Sequence, residues 1–138
     1  MIKEFKIVVF AVLFPFVLLG QSNKVDCQKV KEGTFYFYPS NTKLKYVIIR
    51  GDSIQEEIDY KTADTTFWKV YWQNDCTLKL GFIRKTQPIS DGERYFYNSH
   101  ITVIKIMDVT KDYYTFKGGL DSISTLKSIS DTLWFNAR

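Results

Sequence analysis

The chain has 138 residues, enough for one domain and no more. Nineteen basic and fifteen acidic residues give a formal net charge of +4 at pH 7, with the charges interspersed. The absence of any Lys/Arg run argues against nucleic-acid or membrane-surface binding, and no internal repeat, low-complexity tract or linker breaks the sequence.

The first twenty residues read as an export signal. Lys3 and Lys6 precede the apolar run 7–19, and the small residues Gly20 and Ser22 follow it. That run is shorter than the roughly 20 residues a membrane-spanning helix needs, and Pro15 interrupts it. The pattern predicts cleavage after Gly20, with Ser22 as second choice. It leaves a single domain over 21–138 with a net charge of +3 once Lys3, Lys6 and Glu4 are lost. Lipidation is disfavoured, because Cys27 lies seven residues beyond Gly20 across a polar stretch. Export places Cys27 and Cys76 where disulfides persist, and an even count makes their pairing the default.

Beyond the signal, β-branched and aromatic segments alternate with short turns, the pattern of antiparallel strands. Segments 33–38 and 44–50 are the first two predicted strands. Gly51-Asp52 is read as a two-residue hairpin loop with Gly51 supplying positive φ. In 53–61, Ile54, Glu56, Ile58 and Tyr60 share the more apolar face, with Glu56 marking it as half-buried or as an edge. The clearest hairpin is 66–84. Trp68, Val70 and Trp72 match Leu78, Leu80 and Phe82 across the Asn74-Asp75 turn, giving one apolar surface at the centre of the core.

Residues 86–93 are a predicted loop, and 94–109 a long strand or two strands split near His100. Segment 112–117 is another strand, ended by Gly118-Gly119. Periodicity leaves 120–130 open between helix and strand, and 132–136 closes the chain as a strand. About eight short strands predict an all-β domain. A single antiparallel meander closed into a barrel or half-barrel is favoured over a two-sheet sandwich, because closure removes exposed edges.

Two stretches resemble known proteins. Cys27 to Phe35 with Val47 to Glu57, and then Trp68 to Leu80, resemble a group of short, exported, uncharacterised proteins of Bacteroidota. They share a Cys…Gly-x-Phe opening, an Arg-x-Asp-Ser-x-Gln turn and a Trp-x-x-Asp-Cys hairpin. The resemblance spans roughly residues 27–85 and implies export and a β fold, with no activity to carry over. Gly33-Thr34-Phe35 is also similar to the Gly-x-Trp that opens lipocalin-like barrels.

No chemical motif displaces its bland alternative. Arg50-Gly51-Asp52 spells an integrin-type tripeptide, yet it is also ordinary turn composition. His100, the single histidine, has no nucleophile or further ligand at a useful spacing. Glu56 and Glu57 point to opposite strand faces and cannot flank one bond. Gly118-Gly119 lacks the Lys-Ser/Thr of a phosphate loop. The reading is therefore not an enzyme, with no catalytic residue, metal or cofactor expected.

Two functions remain. One is an exported binding barrel, periplasmic or secreted, that holds a small apolar ligand or peptide against Trp68, Trp72, Leu78, Leu80 and Phe82. The alternative is a surface-interaction module that contacts a protein or glycan through exposed aromatics. An internal cavity of about 300–1,000 Å³ separates them. No nucleic acid and no stable membrane span after cleavage are expected.

Overall fold

The computed structural model describes residues 24–40, 42–121 and 128–138. The expected signal, residues 1–20, and most of the ambiguous stretch (122–127) lie outside them. Eight strands form one closed antiparallel barrel in sequential order, as expected of the meander. They are β1 (Gly33–Phe37), β2 (Tyr46–Arg50), β3 (Ile54–Asp59), β4 (Thr65–Asn74), β5 (Thr77–Lys85), β6 (Thr102–Val109), β7 (Tyr113–Leu120) and β8 (Ile129–Trp134).

Each strand pairs with its neighbour in sequence, and β8 returns to β1 through Tyr36↔Trp134 and Phe37↔Leu133. Register shifts between Phe67 and Trp68, and between Ile106 and Asp108, interrupt the β4–β5 and β6–β7 ladders. Bulges of this kind add the local bend that a small barrel needs to close.

Alternate connections fall at opposite ends. The floor carries the β2–β3, β4–β5 and β6–β7 turns, and also a 3₁₀ turn, Cys27–Val30, that precedes β1. The Asp26 side chain caps this turn by accepting from the Gln28 N–H at 3.3 Å. Cys27 is disulfide-bonded to Cys76 in the β4–β5 turn, with Cα atoms 5.4 Å apart, so the pairing expected from the sequence is present. Gly33 leaves the 3₁₀ turn at φ 139°, a conformation that side chains rarely adopt, and its missing Cβ would sit 3.4 Å from the Phe35 ring.

The lower half of the barrel is packed solid. Tyr114, Phe35, Leu78 and Val30 are its largest fully buried side chains. Phe35 and Tyr114 meet edge to face at 5.4 Å between ring centroids, and Phe135 leans on both. The 66–84 hairpin has the expected register: Trp68 opposes Phe82, Val70 opposes Leu80 and Trp72 opposes Leu78.

Four local readings are corrected. Residues 91–99 form a helix, α1 (Asp91–Ser99), where loop to 93 and strand from 94 were expected. Its start is a capping box: the Ser90 hydroxyl accepts from the Glu93 N–H at 3.1 Å, and the Glu93 carboxylate accepts from the Ser90 N–H at 2.8 Å. Gly118-Gly119 does not break the chain but lies within β7. The β2–β3 loop spans three residues between Arg50 and Ile54, and Gly51 is not at positive φ. On β3 the faces are inverted: Gln55 is buried while Ile54 is 40% and Tyr60 is 67% exposed. The β2–β3 register explains this, since it sets Gln55 opposite the buried Arg50.

Closing a loop of 49 residues constrains the unfolded chain most where the link holds a terminal segment to a distant turn. Replacing Cys27 and Cys76 together by serine is expected to lower the unfolding free energy by about 4 kcal/mol. The shift in the urea midpoint reads it directly, and an unmoved midpoint would show that packing alone holds the 3₁₀ turn.

Candidate functional site

Above the packed floor the barrel holds a half-open cavity of about 410 Å³. Its wall on one side is apolar: Ile104 from β6, Phe116, Gly118, Gly119 and Leu120 from β7, and Leu133 from β8. Gly118 contributes by omission: it shares the inward face of Phe116, so a side chain there would occupy space that the backbone leaves free.

The opposite wall carries the polar groups: Arg50 from β2, Gln55 and Glu57 from β3, and Trp68 from β4. Arg50 is 3% exposed and holds three neutral acceptors. Its Nε donates to Gln55 Oε1 at 2.7 Å, one Nη to the Val30 carbonyl at 2.8 Å, and the other to the Tyr114 hydroxyl at 3.1 Å. The guanidinium carbon also lies 5.1 Å from the Phe35 ring centroid and 5.9 Å from that of Tyr114. Burial pushes the Tyr114 phenol above its ordinary pKa, opposed by the neighbouring Arg50 charge and hydrogen bond. Tyr114 therefore stays neutral and does not balance that charge.

Glu57 is the carboxylate on this wall. Desolvation raises its pKa above the ordinary 4.5, while Trp68 and the Lys85 charge oppose the rise. The buried Trp68 Nε1 makes no aligned hydrogen bond among the described residues. It lies near enough to Glu57 to favour the ionised form, short of satisfying its own donor.

At the rim, α1 covers the end of the β4–β5 hairpin through Tyr97. This ring stacks on Phe82 at 4.6 Å and meets Trp68 edge-on at 5.9 Å. His100 caps the helix and packs against Phe96 at 4.6 Å.

The five ligand-binding residues read from the sequence separate in three dimensions. Trp68 and Leu80 line the cavity. Leu78 is fully buried in the floor core. Trp72 packs against that core with the Lys31 ammonium 5.1 Å from its ring centroid. Phe82 borders a smaller hollow of about 220 Å³ together with Arg84, Lys85 and Arg94. Burial of Arg50 also removes the integrin-type reading of Arg50-Gly51-Asp52, since its guanidinium faces inward.

Sequence reasoning missed Arg50, Gln55 and Glu57 as wall residues. A signal existed: a period-2 count from Ile48 puts Arg50 on the same face. Among the described residues, no group of three or more His, Cys, Asp or Glu side chains could hold a metal ion.

Comparison with known proteins found no family model, no curated protein and no solved structure that matches the chain.

Because folding raises the Glu57 pKa, the native state binds its proton more tightly than the unfolded chain. Stability should therefore fall as pH rises from about 4.5 toward the native-state pKa. Glu57→Gln removes that decline, so the variant should become the more stable protein at neutral pH. Urea unfolding across pH 4 to 8 checks this, and parallel curves for the two proteins would contradict it.

Proposed function

We propose that the chain is an exported carrier whose barrel encloses one small, largely apolar molecule. The observation that carries this reading is the internal cavity of about 410 Å³, within the range of about 300–1,000 Å³ typical of small-ligand sites. A wall mostly of aliphatic and aromatic side chains, with a few polar groups gathered on one side, suits binding better than bond-making. The chain is read as a binding protein rather than an enzyme.

Export is supported by the basic-then-apolar pattern of residues 1–20 and by the disulfide, a bond that persists in oxidising compartments. Among the described residues, no helix is long and apolar enough to cross a membrane. The resemblance of residues 27–85 to exported Bacteroidota proteins accords with this reading, since its two cysteines are the bonded pair.

A second reading has its own support at the surface. The Lys45 ammonium lies 4.1 Å from the Tyr60 ring centroid, 5.7 Å from Tyr38 and 5.9 Å from Tyr36. Tyr60 is 67% exposed in this cluster. Exposed tyrosines of this kind suit contact with a protein or glycan.

The carrier reading predicts that the neutral probe N-phenyl-1-naphthylamine gains fluorescence on binding the protein. Gly118→Leu should abolish the gain while leaving the fold intact. A Cβ at 118 meets Phe116 at 3.5 Å and the Val103 carbonyl at 3.8 Å, which are ordinary contacts. Circular dichroism monitors the fold, and unchanged probe binding in the variant would place the ligand elsewhere. Native mass spectrometry of protein purified from its host should show a copurified small molecule. Bare protein together with glycan or protein binding lost in Tyr60→Ser would favour the surface reading.

A further inference from the structure

We infer that the cavity's ligand is an amphipath with a carboxylate end, and that this end is received by Arg50 while the apolar part lies against the β6–β8 wall. The inference rests on the carrier reading above and narrows it to a chemical class.

Arg50 is a permanent cation in a low-dielectric setting, and burial of an uncompensated charge is costly. Among the described residues, no carboxylate forms an ion pair with it; the ion pairs that are present involve Lys29, Lys31 and Lys85. Its three partners, Gln55, the Val30 carbonyl and Tyr114, are all neutral. A guanidinium carries five N–H donors, so two remain beyond those three bonds. Arg50 itself borders the cavity with 3% of its surface exposed, so an anion bound there would lie beside its charge. A planar carboxylate suits two guanidinium donors better than any single neutral acceptor does.

The rest of that wall agrees. Trp68 offers a buried N–H without an aligned partner, so an acceptor-rich end would meet two kinds of donor on the β2–β4 side. Glu57 does not neutralise Arg50, and its raised pKa reflects its burial there. A cationic end on this wall would meet the like charge of Arg50, which Glu57 does not pair. A wholly apolar ligand would leave the guanidinium with its three neutral acceptors alone.

The competing account is structural: Arg50 serves solely to tie the 3₁₀ turn to β3 and β7. Displacement of N-phenyl-1-naphthylamine by decanoate, decanol and decylamine at pH 7.5 separates the two. If Arg50 receives a carboxylate, decanoate should bind about ten-fold or more tightly than decanol, the scale of one charge-assisted pair. Decylamine should bind no better than decanol. Arg50→Met should bring decanoate down to the level of decanol. Should that variant fail to fold, the Arg50 Nε–H resonance of the wild type gives a second readout. It should shift with decanoate and not with decanol.

Equal binding of decanoate and decanol, with the probe still bound, would overturn the carboxylate assignment and spare the carrier reading. Failure of the probe and of all three amphipaths to bind would overturn both.

Discussion

The buried guanidinium of Arg50 is the interaction on which much of the barrel's interior depends. A charge withdrawn from water must find acceptors, and Arg50 takes them from three distant parts of the chain: the Val30 carbonyl before β1, Gln55 on β3 and Tyr114 on β7. These bonds span the barrel just above its floor. They seat the 3₁₀ turn as a plug beneath the strands, where the Cys27–Cys76 bond also holds it. They also account for the inward turn of β3's polar face, because Gln55 is opposite Arg50 in register and its carbonyl oxygen accepts the Nε–H.

That layer of polar bonds divides the interior. Below it, Phe35, Leu78, Val30 and Tyr114 are fully buried and fill the floor. Above it, the wall loses bulk where β7 passes through Gly118 on the inward face of Phe116, and the volume left unfilled there adds to the cavity. Eight strands give a barrel just wide enough to be filled by side chains or to hold one small ligand. This chain is filled by side chains in its lower half and leaves a cavity in its upper half. Gly118, a residue that weakens a strand by entropy alone, thus makes room inside the barrel.

Much of the architecture was legible from residue order. The 66–84 hairpin, its register, the sequential meander and the disulfide all follow from alternation, turn chemistry and cysteine count. The helix over 91–99 was also legible in principle through Ser90 and Glu93, whose spacing is that of a capping box. Tyr95, Phe96 and Tyr97 masked it, because consecutive aromatics carry strand propensity. Tyr97 earns its place from Phe82 and Trp68 on the barrel rim, which no local pattern reveals. The candidate site was half legible: Trp68 and Leu80 reach the cavity, while Trp72, Leu78 and Phe82 serve the core and the rim.

By itself, the sequence determined most of the strands, 94–99 excepted, and which neighbours pair, because strand alternation and short turns are local properties with nearest-neighbour consequences. It likewise determined the cysteine pair, since two cysteines allow one intrachain bond. Tertiary structure alone decided which face of β3 points inward and that Arg50 is buried rather than displayed at a turn. It also decided that Gly118 of β7 opens a space. The physical reason is closure: once the sheet closes on itself, inside and outside are set for every strand together. A strand with both polar and apolar faces then takes the orientation that satisfies the buried charge across from it.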